Sequence, residues 1–429
     1  MSNRCCEGVR PMKFSRRYFL KQGGIAMVGL SAMPAFLQRA IAATPATTGK
    51  KQFVVLFQRG AADGLNIVVP FAEPNYYRLR PTIAIPQPRR GGADAAIDLD
   101  GFFGLHPSLA PLEPLFHKNQ LAIVNAAGSP DPTRSHFDAQ DFMESGTPGV
   151  KATDDGWLNR ALQELPLAQS AFRAIALGPS LPRILSGKEP AVAVNNVNDF
   201  SVGGKNPNAA PMSNTFEAMY DHSVDSVLHG TGQETFDAVK MLKAADPAHY
   251  TPAANANYPK GRFGDSLKQL AQLVKANLGV RVAFADIGGW DHHVNEGSTQ
   301  GQIANVLGEF SQSIAALWTD LGDLGEDTVI VTMSEFGRTV RENGNRGTDH
   351  GHANVMFAMG GPVQGGKVYG RWPGLAPEQL YEQRDLALTT DFRDVLGEAV
   401  YSHLGNRSIN TVFPGYTGTP ASFKGLLIG

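Results

Sequence analysis

Apolar residues dominate five short runs, at residues 53–58 (FVVLFQ), 120–125 (QLAIVN), 280–286, 328–333 (TVIVTM) and 355–359. Runs of this length without polar alternation fit strands buried on both faces, as in a parallel sheet covered by helices. Between them the period changes. Ile303, Val306, Leu307, Phe310, Ile314, Leu317 and Leu321 recur at helical spacing, as do Leu109, Leu112 and Leu115 within 107–116. Residues 264–277 also read as a helix, and 135–145 as a helix that starts on a serine cap. Residues 65–70 read as a second short extended piece, and the Pro- and Gly-rich residues 72–101 as surface loop. Residues 174–177 and 191–194 are further strand candidates, inside a less regular stretch at about 150–260 that reads as an insertion into a single domain. Strands alternating with helices predict an α/β fold with a mostly parallel sheet.

The first residues carry a different signal. Ser15-Arg16-Arg17-Tyr18-Phe19-Leu20-Lys21 precedes an apolar, glycine-bearing stretch at 23–37 and the small-x-small triplet Ala40-Ile41-Ala42. This order is that of a secretory signal, and the paired arginine selects the twin-arginine (Tat) variety. The stretch is too short and too rich in glycine to span ~30 Å of hydrocarbon. Cleavage after Ala42 leaves residues 43–429 as one domain and removes Cys5 and Cys6, the only cysteines, so no disulfide is expected. Met12 is an alternative start. The Tat translocase is the expected partner in export, and the periplasm or the extracellular space the expected location. No later run is long enough for a membrane span. A net charge of −2 gives no electrostatic case for nucleic acid. Charged residues make up 18%, and 47 glycines point to a compact, loop-rich chain.

Open α/β sheets place their chemistry in loops beyond the carboxyl ends of the strands. Here those loops hold Asp63 after 53–58, Thr133, Ser135 and His136 after 120–125, and Asp291, His292 and His293 after 280–286. Ser334 and Glu335 follow 328–333, and Asp349, His350 and His352 come next. Five of the 11 histidines lie there, and carboxylates gathered with imidazoles are what a divalent metal requires. Zinc, manganese, calcium or magnesium are the candidates. Within Gly288-Gly289-Trp290-Asp291-His292-His293 two adjacent histidines do not usually face one ion, so Asp291 and His293 form the better pair. His350 and His352 alternate, which puts both on one side of an extended strand. Thr133-Arg134-Ser135-His136 offers a hydroxyl at a helix N-terminus, where backbone amides favour an anion, with Arg134 as its grip. The plainer alternatives are an N-cap for Ser135, a surface turn for Ser334-Glu335-Phe336-Gly337-Arg338, and a solvated helix face for Asp141 and Glu144.

The order RGAADGLN, LHPSLAPLEPLF, PTRSHFDAQDFMESG, GGWDHH, SEFGRT and GTDHGHAN resembles the bacterial domain-of-unknown-function 1501 family. That family looks like a distant branch of the alkaline phosphatase and sulfatase superfamily. The resemblance implies an alkaline-phosphatase-like three-layer sandwich, with a mostly parallel central sheet flanked by helices and one or two metals at its carboxyl edge. It implies Asp63 as a first aspartate ligand and Ser135 or Thr133 as nucleophile. Asp291 with His293 would be a ligand pair, with Glu335, and His350 or His352, as further ligands. Two departures stand out: no cysteine remains for a sulfatase-type modification, and Glu335-Phe336 occupies the place of an Asp-His pair.

Two functions of different classes follow. The first is an exported metal-dependent hydrolase of a small anionic phosphate or sulfate ester, with a metal-activated hydroxyl or water. The second is a non-catalytic cell-envelope binding or assembly protein, working with another exported protein.

Overall fold

The computed structural model describes residues 51–89, 92–163, 165, 170–197 and 250–428. The expected export signal, and residues 198–249 of the expected insertion, lie outside them. The strands in chain order are β1 (Gln52–Gln58), β2 (Val68–Val69), β3 (Ile97–Asp98), β4 (Gly104–Leu105), β5 (Leu121–Gly128), β6 (Ala174–Ala176), β7 (Val192–Ala193), β8 (Val282–Ile287), β9 (Thr328–Met333), β10 (Asn354–Gly360), β11 (Lys367–Tyr369) and β12 (Thr390–Asp391). One sheet runs β11-β5-β10-β9-β1-β8-β6-β7, with β12 also paired to β5. β1 is parallel to both β8 and β9, and β6 is parallel to β8 and β7. Among the described strands of this sheet, only β10 runs against its neighbours β5 and β9; β2, β4 and β3 form a separate small antiparallel sheet. The result is α/β with a mostly parallel, mixed central sheet.

The apolar runs are strands because both faces are covered. Phe53, Val55 and Phe57 of β1 pack on one side with the helices Trp157–Leu162 and Phe392–Glu398. Val54 and Leu56 pack on the other with Arg262–Lys275 and Gln302–Leu321. These are the three layers. In Gln302–Leu321, Ile303, Leu307, Phe310, Ile314 and Leu317 are fully buried, and the helix stops at Gly322, whose φ is +53°. Each such side chain contributes about 1.5–3 kcal/mol by burial.

Three local expectations are corrected. Residues 65–70 are not one extended piece: a helical turn, Gly64–Ile67, precedes the two-residue β2. Residues 107–116 begin as a 3₁₀ helix, Pro107–Leu112, and turn α only at Glu113–His117, because Pro111 and Pro114 donate no backbone hydrogen bond. Residues 72–101 are more than surface loop. The helix Pro74–Leu79 buries Tyr76, and Arg80, Ile83 and Ile85 are fully enclosed.

The topology decides where the site lies. β5 ends at the same edge as β1, β8 and β9. The reversed β10 begins at that edge, so the loop leading into it joins the others there. A register shift between Asn354 and Met356 marks a bulge at this point. The Asn354 amide there donates to the carbonyls of Ala62 and Phe336, each at 2.9 Å, and so ties three loops together.

Candidate metal centre

His136, at the start of the helix His136–Ser145, meets Asp291 from the loop after β8 and His350 from the loop before β10. One potential ligand atom from each lies within 4.8 Å of the other two. Asp291 Oδ1 is 3.6 Å from His136 Nε2, 3.1 Å from His293 Nε2 and 3.5 Å from His350 Nε2. His293 Nε2 and His350 Nε2 are 3.0 Å apart.

Each imidazole is held from behind. His136 Nδ1 faces Glu335 Oε1 at 2.8 Å, His293 Nδ1 faces Asp349 Oδ1 at 3.3 Å, and His350 Nδ1 faces the Arg134 carbonyl at 2.8 Å. All three partners only accept when the carboxylates are ionised, which favours a proton on each Nδ1 and turns each Nε2 toward Asp291. The His136 Nε2 is buried with no hydrogen-bond partner. At 3.0 Å the Nε2 atoms of His293 and His350 either share a proton in an N–H···N bond or face a common cation. Tetrahedral ligands at ~2.0–2.1 Å from one ion stand roughly 3.3 Å apart, and the observed separations of 3.0–3.6 Å bracket this value. The donor set fits a divalent metal.

The surroundings are charged and largely buried. Arg338 is enclosed; it donates to the carbonyls of Gly60, Ala61, Trp290 and Thr348 and, at 2.6 Å, to Asp291 Oδ1. It thereby fastens the loops after β1, β8 and β9 to one another. Burial alone would raise the Asp291 pKa, but the Arg338 guanidinium holds it below the ordinary carboxylate value. Glu335 is fully buried, and Oε1 accepts from Gly60 N, His136 Nδ1 and Gln140 Nε2. Burial pushes its pKa up, but the bonds from His136 and Gln140 win and lower it. The bond to Glu335 raises the His136 pKa, whereas burial lowers those of His350, His292 and His352. Asp349 is lowered mainly by its bond from Asn343.

Glycine is needed where backbones touch. A Cβ at Gly60, whose φ is +115°, would lie 2.9 Å from the Asp291 nitrogen, and one at Gly351 would lie 2.4 Å from the Arg338 carbonyl carbon.

The profile of a family described as a protein of unknown function (DUF1501) matches residues 117–407, which include all four residues of the cluster. The chain belongs to this family. No curated protein matches the sequence. Among solved structures, the chain is similar to a PsFucS1 sulfatase from Pseudoalteromonas sp., at 14% identity over 95% of this chain and 81% of that one, with a TM-score of 0.41. It is similar to the lipoteichoic acid synthase LtaP from Listeria monocytogenes, at 8% identity over 76% and 70%, with a TM-score of 0.32. It is also similar to the C-terminal periplasmic domain of EcEptC from Escherichia coli in complex with Zn, at 10% identity over 74% of each chain, with a TM-score of 0.33.

In this DUF1501 protein, His136, expected among the catalytic groups, comes together with Asp291 and His350, and His293 lies against Asp291 and His350. Glu335 and Asp349, expected as ligands, stand one layer back and hold His136 and His293. Asp63, expected as a ligand, is instead in a fully buried ion pair with Arg80, which engages both carboxylate oxygens. His352 does not reach the cluster; its ring stacks on Tyr381 at 4.4 Å. The expected alternation with His350 fails because residue 350 forms only an isolated bridge with Arg338, not a strand that keeps a two-residue repeat. Ser135 is the exposed N-cap of its helix and accepts from Asp138 N. The Thr133 hydroxyl accepts from Ser135 N, and Arg134 is bound to Asp385 and Glu382. Glu144, expected on a solvated face, is buried and accepts from Arg59 at 2.8 Å.

Arg338, Gln140 and Arg59 were missed. For Arg338 a signal was present: it lies just beyond the end of β9, inside the SEFGRT motif, where a long cation can reach neighbouring loops.

Proposed function

We propose that this chain is an exported, metal-dependent hydrolase of phosphate or sulfate esters, with the metal held by His136, Asp291, His293 and His350. The observation that carries the reading is the convergence of imidazole Nε2 atoms on one carboxylate oxygen, with the buried His136 Nε2 lacking a hydrogen-bond partner. Three imidazoles and a carboxylate suit zinc or manganese better than calcium or magnesium, which prefer oxygen alone. A bound divalent ion supplies Lewis acidity toward an ester oxygen and lowers the pKa of a water. Glu335, Asp349 and the Arg134 carbonyl keep the three Nδ1 protons in place and so orient the rings. Arg338 fixes Asp291 and adds a positive charge that favours an anionic group at the cluster. With Ser135 used as a cap and Arg134 paired, the attacking group is a water rather than a side-chain hydroxyl. Export rests on the paired Arg16-Arg17 and the apolar stretch behind them; among the described residues, no helix is long and apolar enough to cross a membrane.

The same engagement of Ser135 and Arg134 favours the second reading, a cell-envelope binding protein built around a metal. The test is metal analysis of the mature protein, purified without a histidine tag, together with hydrolysis of 4-nitrophenyl phosphate and 4-nitrophenyl sulfate. The hydrolase reading expects about one equivalent of zinc or manganese, lost with activity in the double variant His293→Ala/His350→Ala while the fold persists. A protein that stays metal-free after incubation with these ions would sink it. Metal without turnover would move the conclusion to the binding reading.

A further inference from the structure

Next to the cluster the loop before β10 shapes a cavity of about 430 Å³ with Arg78 and residues 375–384. Small-molecule sites are typically ~300–1,000 Å³. Its walls carry Arg78, Arg341 and Arg384 beside Glu342 and Asp349. The acidic pair is already committed. Glu342 accepts from Thr82 N, the Thr82 hydroxyl and Ile83 N at 2.9–3.1 Å. Asp349 Oδ1 accepts from Asn343 and His293. The guanidinium groups of Arg78 and Arg341, both exposed, make no hydrogen bond or ion pair among the described residues. Their planar donor forks match the two-oxygen faces of carboxylate, sulfate and phosphate. The cavity shares its wall with the metal ligands' supports: Asp349 holds His293, and Arg384 donates to the His350 carbonyl at 2.9 Å.

We propose that this cavity seats a second anionic group of the substrate. The substrate class is then an extended polyanion, such as a sulfated or phosphorylated oligosaccharide, with one ester at the metal and another charged group between Arg78 and Arg341. The proposal rests on the hydrolase reading for the first ester but uses different residues. A monoanionic ester would leave the two arginines unused.

The experiment is calorimetric titration of a sulfated heparin-derived disaccharide into the mature protein as purified, into its Arg78→Ala/Arg341→Ala variant, and of inorganic sulfate into both. Two lost charge-assisted contacts predict disaccharide binding weakened at least about tenfold in the variant. Metal content and turnover of 4-nitrophenyl esters stay unchanged, because neither arginine touches the cluster. Equal binding by both proteins, or no binding by the wild type, would overturn the proposal. Inorganic sulfate binding as tightly as the disaccharide would also overturn it, by making the cavity a free-anion site. Failure of the hydrolase reading is seen separately, as an inactive or metal-free protein whose disaccharide binding still depends on Arg78 and Arg341.

Discussion

Replacing Glu335 by Gln tests the metal centre through a residue that does not belong to the four-residue cluster. The buried Oε1 accepts from His136 Nδ1 at 2.8 Å, Gln140 Nε2 at 2.9 Å and Gly60 N at 2.9 Å; Oε2 lies 3.1 Å from the Ser334 hydroxyl. A glutamine oxygen in the Oε1 position keeps the first three bonds. Its amide nitrogen then meets Ser334 Oγ, which can accept it while donating to the Gln58 carbonyl at 2.8 Å. No buried polar group is left without a partner, so the fold should survive with little loss. What disappears is the negative charge behind the His136 ring. Removing such an outer partner weakens metal binding by ~10–100-fold, or about 1.4–2.7 kcal/mol. The assay is competition for zinc between the protein and a chromogenic chelator, with thermal melts run in excess chelator. Glu335→Gln should lower the affinity by that factor and leave the chelated melt nearly unchanged. If the affinity shifts less than about threefold in a folded variant, the carboxylate–imidazole pairing does not act on a metal, and the reasoning fails.

Three further outcomes are expected. Ser135→Ala should retain metal and ester hydrolysis and cost about 1 kcal/mol of stability in denaturant titration, as a lost N-cap. Arg80→Leu leaves Asp63 buried without its cation and should destabilise by about 3–5 kcal/mol in the same measurement; a small effect would show that the pair is dispensable. Burial lowers the pKa of His106 and of His403 to about 4 from 6.5. Their stabilising effect is complete above the unfolded value and is lost as pH falls toward the folded one. Between pH 7 and 5 each should therefore cost about 2 kcal/mol. His403→Gln, measured at both pH values, should flatten that slope.

The apolar runs located β1, β5, β8, β9 and β10 to within a few residues, because strands buried on both faces show no polar alternation to confuse the reading. The long helix was legible from its stripe of Ile303 to Leu321. The segment 72–101 was misread because prolines and glycines advertise turns, whereas what encloses Arg80 and Ile83 is contact with loops some 250 residues away, such as the Val340 carbonyl on Arg80. Placement of the loops after β1, β5, β8 and β9 at the carboxyl edge was legible from the strand ends, whereas that of the loop before β10 depended on its reversed direction. The division of labour among those loops was not legible. Whether a carboxylate is a ligand or a prop depends on which atoms its neighbours turn toward it.

The sequence by itself determined the fold class, the sheet edge and the pool of imidazoles and carboxylates gathered there, since periodicity and strand ends are local properties of the chain. Only the tertiary structure decided that His136 joins Asp291 and His350 with His293 against both, that Asp63 belongs to Arg80, and that Arg338 binds three loops into one site. Those choices turn on the reversed direction of β10 and on contacts between residues far apart in the chain, and no local pattern encodes them.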